Sequence, residues 1–308
     1  MTLKWNKLGH VFAQDGSLPW AVDSALTPTP YAIREDEIRV YAGFRDGEGI
    51  SRIGYVDVSA SDPQKVLRVS KRPVLDRGRD GCFDDNGVIL GDVVRVGVKL
   101  RMYYVGFQLV KRAKFLAFSG AAESSDNGET FQRLSEAPVM DRVHGATAIR
   151  AIHTALQENG EWRVWYAVGD GWELIAGKPF PQYNIWATTS PDGLTFTRPG
   201  TLCVDNEGDE YRIGRPSVYR HGRGYMMFYT KGTKGGEDYF PGVAFSVDGV
   251  RWERRDENFG LELSSEGFDS RHLCYPRLVH AGGRTLCFYN GNNMGAEGFG
   301  VAELLQAV

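Results

Sequence analysis

The feature that most constrains this chain is a four-beat unit between Glu210 and Arg255. Arg215-Pro216-Ser217-Val218, Tyr225-Met226-Met227-Phe228-Tyr229, Val243-Ala244-Phe245-Ser246 and Val250-Arg251-Trp252-Glu253 are strand-length runs separated by Gly, Asp and Lys. That pattern predicts four short antiparallel strands. A lone four-stranded sheet cannot bury both of its faces, whereas several sheets set around an axis bury each other's.

The second beat recurs as Ile38-Arg39-Val40-Tyr41, Leu100-Arg101-Met102-Tyr103-Tyr104, Trp162-Arg163-Val164-Trp165-Tyr166 and Leu286-Cys287-Phe288-Tyr289, which makes five copies. Pro28, Pro216 and Pro276 each precede Val40, Phe228 and Phe288 by 12 residues; His153 takes that place in the third copy, and the second falls near Gly91. A constant spacing predicts a fixed register between the innermost and second strands. The third and fourth beats are joined by Ser124-Ser125-Asp126-Asn127-Gly128, Ser190-Pro191-Asp192-Gly193 and Ser246-Val247-Asp248-Gly249. Asp folds back onto turn amides and Gly accepts positive φ, so these are structural hairpins. The last copy stops after a third strand near Gly298–Leu304, and Leu3-Lys4-Trp5-Asn6-Lys7 echoes the missing fourth. The expectation is an all-β chain: one five-bladed β-propeller of four-stranded antiparallel blades near residues 21–70, 80–135, 145–200, 208–257 and 266–305, closed by residues 1–12.

Composition agrees and excludes some functions. Thirty-eight Gly, with 16 Phe, 14 Tyr and 7 Trp, favour strands and tight turns. A formal charge of −3 gives no basic field for nucleic-acid phosphates. Cys82, Cys203, Cys274 and Cys287 lack CxxC spacing and read as reduced structural thiols. The N-terminus lacks a signal-peptide apolar core, and no segment approaches the ~20 apolar residues of a spanning helix. A cytoplasmic protein without membrane or nucleic-acid partners is expected.

In such blades the start of the inner strand and the end of the second lie on one face near the axis, so their residues converge on a central funnel. Inner-strand starts supply Asp23, Asp85, Arg150, Glu210, Arg215, Asp269, Arg271 and His272. Second-strand ends supply Arg45, Asp46, Trp172, Glu173 and Asn290. Carboxylates and amides for hydroxyls, an aromatic face for C–H surface and a carboxyl pair for glycosidic chemistry suit a polyhydroxylated ligand. The same residues also serve to tie blades together. Gly169 to Pro179 reads as a long connection at the funnel, with Trp172 placed to stack on a sugar. Arg215 and Arg271 are suited to grip a phosphate or sugar carboxylate. His144, His153 and His272 have no zinc spacing, so no cofactor is expected, although carboxylates and carbonyls on the axis are compatible with calcium.

Phe83-Asp84-Asp85-Asn86-Gly87-Val88, Gly214-Arg215-Pro216-Ser217-Val218, Phe268-Asp269-Ser270 and Cys274-Tyr275-Pro276 give the chain a resemblance along its whole length. It resembles the five-bladed propellers of the arabinanase, levansucrase and invertase superfamily, and more closely uncharacterised bacterial glycosidase-like propellers. The resemblance implies a carbohydrate-active, glycoside hydrolase-like enzyme that acts on a glycosidic or glycosyl-phosphate bond of a small or oligosaccharide substrate. In glycoside hydrolase families 32 and 43 a first-blade carboxylate is nucleophile or base and a fourth-blade Glu is the acid. The positional matches here are Asp23 and Glu210, with Asp85 as a third carboxylate. The first-blade WMND and the RDP and EC motifs of family 32 have no counterpart in this sequence. A glycosyltransferase-type tailoring enzyme and a non-catalytic sugar-binding propeller therefore remain open beside the hydrolase.

Overall fold

The computed structural model describes residues 2–235 and 239–306. Its strands pair antiparallel in chain order, in sets. The first comprises β2 (Asp23–Ala32), β3 (Glu37–Arg45), β4 (Ser51–Ser59) and β5 (Val66–Val69). The second comprises β6 (Val88–Val96), β7 (Lys99–Gln108), β8 (Leu116–Ser124) and β9 (Gln132–Arg133). Next come β10 (Ile149–Glu158), β11 (Glu161–Ile175), β12 (Lys178–Ser190) and β13 (Thr201–Val204). They are followed by β14 (Glu210–His221), β15 (Gly224–Thr233), β16 (Tyr239–Ser246) and β17 (Glu253–Arg254). The last set is β18 (Cys274–Ala281), β19 (Arg284–Asn290) and β20 (Phe299–Gln306), whose outer edge is paired by β1 (Lys4–Phe12).

The apolar core lies between these sets rather than inside any one of them. Tyr41 and Ile53 of the first pack with Leu90, Met102 and Tyr104 of the second. Tyr103 and Ala121 pack with Ile152, Val164 and Tyr166, Trp165 and Ile185 with Val218 and Met227, and Phe228 and Val243 with Leu273 and Tyr289. Phe288, Phe299 and Val301 pack in turn with Val40, Ala42 and Phe44. The first strands of the sets also touch: β2 lies against β6 and β18, β10 against β6 and β14, and β14 against β18. Two of the joins carry short parallel pairing, Ile149 with Ala117 and Tyr183 with Arg212.

The repeated hairpins are structural, and their partners explain why. Asp192 Oδ1 accepts from the amides of Leu194 and Thr195, both at 2.8 Å, and these amides hold its pKa below the usual carboxylate range. The turn is then gripped by the preceding set. Tyr41 Oη donates to Gly128 O at 3.2 Å, Tyr103 Oη to Gly193 O at 2.8 Å, and Trp165 Nε1 to Gly249 O at 2.9 Å. Two residues earlier on the same strands, Arg39, Arg101 and Arg163 donate to Asn127 O, Asp192 O and Asp248 O. Gly193 has φ +72°, and a Cβ there would stand 2.6 Å from Tyr103 Oη, so both the turn and the close approach require glycine. The fourth beat is shorter than expected: only Glu253–Arg254 pairs with β16, because Val250 and Arg251 are taken up in the Asp248 turn.

Tyr103→Phe leaves the buried Gly193 carbonyl without its donor. The expected result is a loss of about 1–3 kcal/mol in urea denaturation, seen as a lower midpoint with an unchanged slope. A midpoint equal to that of the parent would show that the contact contributes nothing.

Candidate functional site

The first strand of every set is interrupted at the same place. Pairing with the second strand jumps from Leu26 to Thr29, Leu90 to Asp92, Ile152 to Thr154, Gly214 to Ser217, and Cys274 to Arg277. The bulged residues are thus Thr27-Pro28, Gly91, His153, Arg215-Pro216 and Tyr275-Pro276, the positions marked by the 12-residue spacing in the sequence. At three of the five, proline cannot donate to the ladder and so suits a bulge, whereas Gly91 and His153 bulge without one. Thr27, Arg215 and Tyr275 take φ of 54°, 56° and 57°. A left-handed non-glycine residue costs of order 1–3 kcal/mol, and such strain concentrates at functional sites. All three, with His153, line a cavity of about 410 Å³.

The rest of the cavity wall is largely apolar and aromatic: Ile89, Val105, Phe107, Ile149, Phe180, Tyr183 and Tyr239, with Arg45, Lys114 and Arg212 among them. Among the described residues that line it there is no Asp or Glu. Arg215, 5% exposed, donates to Leu90 O, to Thr27 O at 3.2 Å and to Thr29 Oγ1 at 3.1 Å. Burial and the charge of Arg277 pull its pKa down to about 9, which leaves it cationic at neutral pH. Its Nη1 also faces His153 Nδ1 at 3.2 Å. Burial and then Arg215 hold His153 well below its ordinary pKa, so the ring is neutral, accepts at Nδ1 and carries its proton on Nε2. Arg277 is paired with buried Asp92 and donates to His153 O at 2.7 Å, joining β6, β10 and β18.

Arg212 is different. Its guanidinium lies 3.9 Å from the ring centre of Tyr239 and 4.8 Å from that of Tyr211, and its buried Nε has no hydrogen-bond partner among the described residues. Tyr239 and Tyr183 hydroxyls meet at 3.1 Å. The cavity is therefore cationic and aromatic.

Of the expected site residues, Arg45 and Arg215 line this cavity. Asp23 is exposed at the start of β2 and accepts from Ser24 Oγ at 2.5 Å. Asp85 accepts from the Gly81 amide at 3.0 Å within a turn. Glu210 is gripped by Arg254 through two bonds of 2.8 and 2.7 Å, with Lys231 at 3.4 Å. Burial works to raise its pKa, but the Arg254 bonds outweigh it and hold it low, the reverse of what a general acid needs. Asp46 pairs with Arg52 at 2.6 Å, and Asp269 with Lys7 at 2.7 Å and Tyr289 Oη at 2.9 Å. Arg150 donates to Asp141 O at 2.6 Å and Asn290 accepts from the Thr27 amide at 2.7 Å. Arg271 is 62% exposed on its side chain and faces Glu297 at 3.5 Å. His272 Nδ1 accepts from the Asn293 amide at 3.0 Å.

Trp172 and Glu173 do not belong to a loop. β11 and β12 continue as a hairpin past the sheet, pairing Trp172 with Pro181 and Glu173 with Phe180, and turn at Ala176-Gly177 where both φ angles are positive. Trp172 packs edge-on to Phe115 at 5.5 Å, and Glu173 accepts from Gln182 at 2.7 Å. Arg212, Tyr183 and Tyr239 escaped the sequence reading. Strict alternation puts residues 212 and 215 on opposite faces, and only the bulge at Arg215-Pro216 brings them to one wall.

No family model matches the chain. The Mycobacterium tuberculosis proteins Rv1502 and MT1551, both uncharacterised, are each 32% identical over 304 residues, 98% of this chain and 99% of theirs. Among solved structures, a glycoside hydrolase superposes with TM-score 0.74 at 18% identity, covering 98% of this chain and 91% of that one. A thermostable family-43 glycoside hydrolase gives 0.69 at 16%, covering 92% and 88%. A structure from work on the GH130 family of mannoside phosphorylases, which contains glycoside hydrolases that target β-1,2 mannosidic linkages, gives 0.70 at 15%, covering 98% and 94%. The all-β fold is that of propeller-type glycoside hydrolases.

Glu210→Gln is expected to cost about 1–3 kcal/mol by weakening the Arg254 grip. A carboxylate held low in the folded state stabilises above its unfolded pKa and loses that contribution as pH falls through the folded pKa. The parent should therefore lose stability more steeply than the variant below about pH 4.5, measured as thermal midpoint against pH. Parallel curves would place Glu210 outside the scaffold.

Proposed function

Because the chain belongs to the family of the mycobacterial proteins Rv1502 and MT1551 and has a fold shared with glycoside hydrolases, we propose that it is a carbohydrate-active, glycoside hydrolase-like enzyme acting on a glycosidic or glycosyl-phosphate bond. The substrate is a small sugar or oligosaccharide held in the central cavity. The observation that carries this reading is the cavity of about 410 Å³ itself, within the roughly 300–1,000 Å³ of small-molecule sites. It sits where the strained bulges of Thr27, Arg215 and Tyr275 converge, and its tyrosines offer flat faces to the C–H surface of a sugar.

We infer further that the strand sets are five blades of one domain around that cavity, completed by β1. The cyclic contacts of β2, β6, β10, β14 and β18 support this arrangement, as does the pairing of β1 with β20. Hydrolysis by two carboxylates flanking the scissile bond draws the least support, since Asp23, Asp85 and Glu210 are not among the cavity-lining residues. The cationic wall instead favours the glycosyl-phosphate side of the reading, in which the reactants bring the negative charge.

Ala151 faces the cavity, so Ala151→Phe fills it. Turnover of a panel of aryl glycosides and oligosaccharides, with and without inorganic phosphate, is expected in the parent and lost in the variant, with both folded by circular dichroism. Turnover that survives the block would move the reaction elsewhere on the molecule.

A further inference from the structure

We propose that Arg212, Arg215 and Thr27 form an oxyanion subsite in the cavity, and that the saccharide taken there carries a phosphoryl or carboxylate group which they bind. This rests on the saccharide reading above and adds the substrate class. Arg212 is 7% exposed and lines the cavity, yet its Nε has no partner and it forms no ion pair with a described residue. Burying a guanidinium without hydrogen bonds or a counter-charge is costly, and proteins keep such an arrangement where a ligand supplies what is lacking.

The contrast with the other buried arginines is direct. Arg39 is matched by Asp57 and Glu129, Arg101 by Glu123, and Arg277 by Asp92. Arg150, which is off the cavity wall, donates to a carbonyl. The two on the cavity, Arg212 and Arg215, have no carboxylate among the described residues.

A second orphan points to the same ligand. Thr27, 3% exposed, lines the cavity, and its buried Oγ1 has no hydrogen-bond partner among the described residues, while its carbonyl accepts from Arg215 at 3.2 Å. The terminal N–H groups of Arg215 are taken by Leu90 O, His153 Nδ1, Thr27 O and Thr29 Oγ1, so Arg215 contributes its charge, and the fork that can meet an oxyanion with paired bonds is that of Arg212. Stacking on Tyr239 fixes the plane of Arg212 without occupying its N–H groups. Tyr183 and Tyr275 on the same cavity wall leave the anion continuous with aromatic surface for a sugar ring.

The test is calorimetry and thermal shift with inorganic phosphate, glucose 1-phosphate, glucuronate and uncharged glucose, on the parent, Arg212→Met and Arg212→Lys. At least one anionic probe should bind the parent and weaken roughly ten- to a hundred-fold in Arg212→Met, with only partial recovery in Arg212→Lys. The unliganded thermal midpoint of Arg212→Met should change little, since the lost cation–π contact with Tyr239 is offset by removal of an unpaired buried charge; an arginine held by hydrogen bonds or an ion pair would lower it by several degrees. Tight binding of phosphate alone would make the source a free co-reactant, and preference for glucose 1-phosphate or glucuronate would place the charge on the sugar. Either supports the subsite. Binding of glucose with no advantage for any anion overturns the subsite and leaves the saccharide reading standing, whereas anion binding untouched by Arg212→Met overturns the assignment to this wall.

Discussion

The hydrogen bond from a second-strand side chain to the glycine carbonyl of the next hairpin is the contact on which the remaining architecture depends. Tyr41, Tyr103 and Trp165 each reach out of one strand set and hold the turn of the following one. Each bond is buried and directional, so it sets both the distance and the rotation between neighbours among the first four sets; Tyr229 and Tyr289 instead bond to Asp256 and Asp269. Apolar burial alone would permit sliding, because it is roughly proportional to area and has no direction. The flanking Arg39, Arg101 and Arg163 reinforce the same turns through their carbonyls.

The first strands lie against one another, and the bulges at Thr27, His153, Arg215 and Tyr275 reach the cavity. What they deliver differs from strand to strand: glycine at 91, histidine at 153, arginine at 215, tyrosine at 275. The repeat is therefore a scaffold whose equivalent positions have diverged where they meet. Arg277 and Asp92 pair across the centre and neutralise each other. Arg215, which lines the cavity, makes only neutral bonds, so its charge is not neutralised.

This division explains what could be read from the sequence. Strand periodicity, hairpin chemistry and the Pro28, Pro216 and Pro276 spacing are local signals; they pointed to an all-β chain and to a fixed inner-strand register, while the bulges at those positions were not foreseen. The pairing of β1 with β20 was legible because Trp5 echoes Trp252. The site was legible only in part. Position at an inner-strand start or a second-strand end picked out Arg215 and Arg45, but it also picked out Glu210, Asp269 and Asn290, whose side chains are engaged by Arg254, Lys7 and the Thr27 amide. Such pairings join residues far apart in the chain and leave no periodic trace. Arg212 was missed for the opposite reason: it has no ion-pair partner among the described residues, which only packing reveals.

The most direct measurement of the central claim is a crystal structure of the protein with glucose 1-phosphate. The account predicts phosphoryl oxygens within hydrogen-bond distance of the Arg212 guanidinium, on the side of the cavity that Arg215 and Thr27 line, and the sugar ring against the tyrosines of the cavity. A sugar phosphate bound instead beside Glu210 or Asp23, with the cavity unfilled, would contradict it.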